Sequence, residues 1–226
     1  MQSAVCGAEQ PGRPPPVTPP SGAPDASTPG AGLPDTIDAT ADRPATAPAD
    51  GYVELRSHGR LRELMGEPYR IVIDKVHAEL TDDDRDILAR SPFCLLATSD
   101  ALGNCDVSPR GDGPGFTHVV DDGTIALPDR PGNRRADSFH NILENPHAGL
   151  LYLIPGGKEV LRVNGRARIL TDAPFFDAMT APDGRRPQLA LLLEIDEIYL
   201  HCPASLRRSA LWDPQSWPGQ DGRGRG

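Results

Sequence analysis

From Phe93 onward the apolar positions fall in short runs separated by turn residues, and this rhythm predicts strands. The first run is Phe93-Cys94-Leu95-Leu96-Ala97-Thr98. Asp100 to Asn104 has turn chemistry, with Gly103-Asn104 supplying backbone freedom, and Asp106-Val107-Ser108-Pro109 resumes an extended course, which predicts a hairpin. Arg110 to Gly115 reads as a Gly- and Pro-rich loop. Phe116–Val120 and Thr124–Leu127 then flank the tight turn Asp121-Asp122-Gly123. Pro131-Gly132 breaks the chain, and Arg135 to Glu144 carries Phe139, Ile142 and Leu143 at helical spacing until Asn145-Pro146 stops it. Three more strands follow, His147–Ile154, Lys158–Leu170 and Leu189–Leu200, the last with only partial alternation. Asn164-Gly165 inside the second predicts a bulge or a sharp bend. Upstream, Thr81 is placed to cap a helix whose first turn holds Asp82, Asp83 and Asp84, and Ser91-Pro92 ends it. Tyr52 to Met65 predicts one further helix. Short, closely spaced strands with one helix inserted predict a mainly β fold with a few helices, closed as a small β-barrel.

Composition divides the chain. Residues 1–50 hold 11 of the 25 prolines and no Phe, Tyr or Trp. Such a segment cannot bury enough apolar surface to offset its ordering entropy, so it is expected to be a disordered Pro/Ala-rich tail. The expected organisation is that tail, an N-terminal helical segment over 51–90, the barrel domain over 91–217 and a flexible Gly/Arg-rich tail over 218–226. The start lacks a basic stretch followed by an apolar core, and no run approaches the ~18 apolar residues of a membrane span. A formal net charge of −9 argues against nucleic acid as a partner. A cytoplasmic protein acting without membrane or nucleic acid is expected. The four cysteines form no C-x-x-C pair, so no metal site is indicated. Cys94, in an apolar run, is expected in the core.

The chemistry concentrates in Leu127-Pro128-Asp129-Arg130-Pro131-Gly132-Asn133-Arg134-Arg135, between a strand and a helix. A helix N-terminus offers unpaired N–H groups and partial positive charge, which suits a phosphate, and adjacent arginines add charge-assisted hydrogen bonds. The alternative reading of the same residues is a solvated basic turn.

The stretch LPDRPGNRRADSFHNILENPHAGLLYLIPG, followed by LRVNGRARI and preceded by DVSPRGDGPGF, resembles the FMN-binding core of flavoproteins of the pyridoxamine 5′-phosphate oxidase class. HCPASLRRSALWDP resembles the C-terminal motif of a bacterial subgroup of that class, although Ala204 stands where the subgroup carries a lysine. The resemblance spans roughly 91–214 and implies an FMN-binding split β-barrel. It implies a homodimer with FMN at the interface, and an oxidoreductase acting on a small organic substrate. By position, Asn133, Arg134 and Arg135 hold the phosphate. Ser108 and Arg110 lie along the flavin, and Arg162 reaches it from the same side or from the second subunit. Arg208, Ser209 and Trp212 stand near the open face of the ring. Flavin carries its own redox chemistry, so no catalytic residue is assigned and none of the six histidines receives a role. Two other readings keep the fold: a non-enzymatic flavin storage or sensing protein, and a protein using the deazaflavin F420.

Overall fold

The computed structural model describes residues 51–218. The tails expected over 1–50 and 218–226 lie outside those residues, Pro218 excepted. The chain divides into two units between Gly66 and Glu67. In the first, helix α1 (His58–Met65) begins six residues later than the sequence suggested, because the Ser57 side chain accepts from Arg60 N–H at 3.1 Å and caps it there. Gly66, at φ 72°, ends it. None of its residues is buried.

The second unit opens with a short helix α2 (Arg70–Asp74), followed by α3 (Asp82–Arg90). Thr81 caps α3 as expected, within a full capping box completed by Asp84. The Asp84 carboxylate is almost fully buried, yet it accepts from Thr81 N–H, Thr81 Oγ1 and the His77 ring. Buried charge of this kind survives only when its lone pairs are filled.

Seven strands follow: β1 (Phe93–Ser99), β2 (Cys105–Gly111), β3 (His118–Asp121), β4 (Thr124–Pro128), β5 (His147–Leu153), β6 (Val160–Leu170) and β7 (Ala190–His201). Helix α4 (Asp137–Glu144) lies between β4 and β5, and α5 (Ala204–Arg208) follows β7. All strands join one antiparallel sheet in the order β2-β1-β5-β6-β7-β4-β3. Arg110 and Gly111, expected in a loop, are paired strand residues opposite Cys94 and Phe93. Pro109 misleads the reading; it is tolerated because β2 is an edge strand, where a missing N–H can face away from the ladder.

The core face is built by alternation. One row crosses the sheet as Ser108, Leu96, Leu150, Val163 and Ile198, and the next in phase as Arg110, Cys94, Tyr152, Leu161 and Leu200. The inner members of both rows are buried, and α4 packs over this face through Ile142 and Ser138. A smaller cluster on the far side of β4 and β7, with Ala126, Ala190 and Leu192, is covered by Phe176 and Met179 of a 3-10 turn. That double burial explains the unbroken apolar run at the start of β7. The partial alternation of β7 has its own cause. Asn164 pairs with Glu197 but Gly165 pairs with Ile195, so Asp196 is an extra residue. Core-facing positions therefore run 191, 193, 195 and then 198, 200. The bulge expected at Asn164-Gly165 is present, with its extra residue on the opposite strand.

No helix among the described residues is long and apolar enough to cross a membrane. Cys94 is buried, and burial, only partly opposed by the charge of Arg110, pushes its thiol up to about 12.

This packing has two testable consequences. A Cβ on Gly165 would lie 2.0 Å from the Glu194 carbonyl oxygen. Gly165→Ala should therefore cost about 3 kcal/mol, at the upper end for overpacking, read as a lowered urea midpoint at unchanged slope. At His77, burial opposes the charged ring, but the hydrogen bonds to Asp84 and to the Lys75 carbonyl, with the Asp84 charge, outweigh it and raise the pKa. A raised folded-state value gives stability that is complete below about pH 6.5 and fades as pH rises through the folded pKa. The urea midpoint should fall over that window in the native protein and stay flatter in His77→Gln; parallel profiles would exclude the His77–Asp84 pair as the source.

Candidate functional site

Strand β2 turns Asp106, Ser108 and Arg110 toward the core face, as the two-residue period requires. Being at the edge, they meet the first turn of α4 instead of another strand. Asp106 Oδ2 accepts from Ser108 Oγ at 2.8 Å and from Ser138 Oγ at 2.6 Å. Arg110 donates one guanidinium N–H to Ser138 Oγ at 3.1 Å and another to the Pro109 carbonyl, with its charge 5.9 Å over the Phe139 ring. Ser138 is thus held from both sides, by a carboxylate and by a guanidinium.

The loop leading into α4 turns sharply. Arg134 (φ 64°) and Ala136 (φ 57°) are both left-handed. Neither is glycine, and this costs roughly 1–2 kcal/mol per residue that the local contacts must offset. One offset is the Asn133 side chain, which accepts from Arg135 N–H at 3.0 Å. The consequence is that α4 starts at Asp137, two residues later than the sequence suggested, and no side chain caps it. Its first N–H groups are left facing the loop.

The three loop arginines are not equivalent. Arg130 is committed to structure: it pairs with Asp112 at 2.6 Å and donates to the Met179 carbonyl at 2.9 Å. Arg135 pairs with Asp137 at 2.8 Å. Arg134 is exposed and makes no side-chain bond among the described residues. Asp129, at the end of β4, is half-buried; burial raises its pKa against the opposing charges of Arg110 and Arg130.

Arg110, Ser108 and the Asn133-Arg134-Arg135 loop therefore converge on the start of α4. Arg162 does not join them within one chain. It stands in the row Pro109, Leu95, Leu151, Arg162 and Tyr199, on the opposite face of the sheet, donating to Tyr199 Oη at 3.0 Å. That face is half exposed and partly apolar, with Val107 60% exposed. Arg208 and Ser209 are exposed at the end of α5. Trp212 folds back against the β5–β6 turn beside a pocket of about 220 Å³, which Arg207 lines and Arg208 does not. A second cleft, of about 280 Å³, lies between the loop after β2 and Met179-Thr180, with Arg130 at its wall.

Two residues of this constellation escaped the sequence reading, Asp106 and Ser138. For Asp106 a signal was available, since it is two residues from Ser108 and four from Arg110 on an alternating strand. Ser138 gave none beyond its place in the motif.

Residues 80–202 match the family described as Pyridoxamine 5'-phosphate oxidase, a little over half of the chain. The chain belongs to that family. Its match includes all seven strands, Ser108, Arg110, the Asn133–Arg135 loop and Arg162, and ends before Arg208, Ser209 and Trp212. Among solved structures the chain is similar to HupZ of Group A Streptococcus, with 19% identity over 54% of this chain and 93% of that one, at TM-score 0.43. It is similar to General Stress Protein 26 of Bacillus anthracis str. Sterne, with 15% identity over 51% and 88%, at TM-score 0.40. HutZ of Vibrio cholerae, described as a heme storage protein, shares 15% identity over 54% and 94%, at TM-score 0.40. No curated protein matches the chain. As a pyridoxamine 5'-phosphate oxidase family chain, it places its motif arginines where α4 begins. Among the described residues no group of three or more His, Cys, Asp or Glu is arranged to hold a metal.

Proposed function

We propose that this chain is an FMN-dependent oxidoreductase of the pyridoxamine 5'-phosphate oxidase family, a cytoplasmic homodimer acting on a small organic substrate. The observation that carries the reading is the uncapped start of α4, faced by Arg110 and preceded by the unpaired Arg134. A phosphate at this point would take the free N–H groups and the helix dipole, with Arg134 and Asn133 closing over it. Arg135 would contribute by leaving or sharing Asp137. Ser108 and Arg110 would lie along the ring system. Bound FMN supplies the electron transfer; the residues here bind and orient it, and no protein nucleophile is needed.

The sheet is read as the wall of a split barrel. Laid flat, its two edge strands would stand six spacings, or about 29 Å, apart. Yet β2 and β3 are joined by 112–117, seven residue steps that reach about 25 Å when fully extended. The sheet must therefore curl, and closure is the natural end of that curl. The outward face that carries Val107, Pro109, Leu95 and Leu151 is the surface a second copy would cover, bringing its Arg162 toward the flavin of the first. Arg208, Ser209 and Trp212, beyond the barrel, are assigned to the substrate side.

The first test is spectroscopic. Purified protein given FMN should hold a flavin band that bleaches anaerobically with NADPH and returns with oxygen. A band that no nicotinamide bleaches points to storage or sensing, and no uptake of FMN makes F420 the next ligand to try. The second test locates the phosphate. Replacing Arg134 and Arg135 with alanine should weaken FMN by about 1.5–3 kcal/mol for each charge-assisted hydrogen bond removed and leave riboflavin, which has no phosphate, nearly unchanged. Equal weakening of both ligands would put the phosphate elsewhere.

A further inference from the structure

The pocket under the C-terminal segment is lined by two cations that have no partner among the described residues. After α5 the chain reverses at Ala210, a left-handed residue at φ 48°, and the reversal is pinned by Ser216 Oγ and by the Trp217 indole, which donates to the Leu211 carbonyl at 2.9 Å. This returns Trp212 to the β5–β6 turn. Its indole Nε1 is buried and has no hydrogen-bond acceptor among the described residues. A buried N–H left so carries its desolvation cost unrepaid. The pocket beside it, about 220 Å³, has apolar walls from Pro203, Leu206, Ala210 and the indole itself. Lys158 and Arg207 also line it, and neither side chain makes an ion pair or hydrogen bond among the described residues. The one carboxylate at its edge, Asp213, is engaged with Gln215 N–H at 3.0 Å.

We infer that this pocket binds a small organic anion with a flat apolar body, its carboxylate shared by Lys158 and Arg207 and its body laid against the Trp212 indole. The volume suits a single-ring compound and not a nucleotide. Two cations above an apolar floor select a negative charge attached to a hydrophobic body, and a guanidinium selects a planar carboxylate over a point charge. The binding itself stands on the pocket alone; naming such an anion as the class of substrate rests on the flavin reading above. It also assigns the contact to Arg207, one position before the arginine that the sequence motif suggested.

The probe is benzoate, with benzamide as its neutral counterpart, titrated into the full-length ¹⁵N-labelled protein with and without FMN. The chain has two tryptophans, so the spectrum has two indole N–H signals, and Trp217→Phe assigns them. Saturable movement of the Trp212 signal by benzoate, with benzamide at least about tenfold weaker, is the expected result. Arg207→Gln should weaken benzoate by about tenfold, and Lys158→Gln should weaken it in the same direction by less. Neither residue belongs to the proposed flavin site. No saturable shift, or equal binding of benzoate and benzamide, or a benzoate affinity indifferent to Arg207→Gln, overturns the inference. Because the signal is read without any redox step, benzoate binding in a protein that takes up no flavin would leave this pocket standing while the flavin reading falls, and the converse result would do the opposite.

Discussion

The facing of the side chains on the sheet depends on the close run of β6 against β7 at Gly165. β6 is the middle strand of the seven, and each neighbour takes its register from it. Val163 pairs with Leu150, Leu150 with Leu96, and Leu96 with Ser108. A slip of one residue at any one strand pair along this path would put Ser108 and Arg110 on the same face as Arg162. Gly165 fixes the path because only a residue without Cβ can lie against the Glu194 carbonyl, and the extra Asp196 lets both halves of β7 keep apolar side chains in the core. The two devices are one feature: the bulge needs the glycine, and the core needs the bulge.

The electrostatics at the start of α4 follow from that register. Once Asp106, Ser108 and Arg110 share a face at a sheet edge, the helix that covers the core must meet them. Asp106 would be an unwelcome neighbour for any anion, but its Oδ2 is filled by two hydroxyls, and one of these, on Ser138, is also the acceptor for Arg110. Asp106 thereby positions the guanidinium through a serine and does not neutralise it directly. The division among the loop arginines has the same logic. Arg130 commits hydrogen bonds to Asp112 and Met179 and so ties the loop after β2 to the 3-10 turn, which leaves Arg134 as the loop cation with no side-chain bond among the described residues.

The strands were legible because turn residues separate them cleanly, and the Thr81 cap was legible because capping is local chemistry. What failed to show did so for identifiable reasons. Arg110 was read as loop since Pro109 and the following glycines look like a break, and edge position, which makes them acceptable, is a tertiary fact. The start of α4 was misplaced because Arg134 and Ala136 adopt left-handed backbone without being glycine. Helices α2 and α5, each five residues, are too short for periodicity to register. Arg162 and Arg168 are alike in sequence, two strand arginines at even spacing. Only the fold separates them, Arg168 pairing with Glu194 at the surface and Arg162 lying against Tyr199.

The family match ends at residue 202. The sheet, the α4 start and the loop arginines lie inside the match, and a phosphate asks the same of every protein that holds one: N–H groups, positive charge and a fixed turn. Substrate choice makes no such uniform demand, so it belongs on segments whose sequence can change without disturbing the register set at Gly165. The stretch after β7 meets that condition. It meets the β5–β6 turn, it reverses on its own strained residue, and it carries the Trp212 indole whose N–H is unmatched among the described residues. The strained reversal at Ala210 is a cost that packing alone does not explain; a ligand seated against the Trp212 indole would give it a purpose.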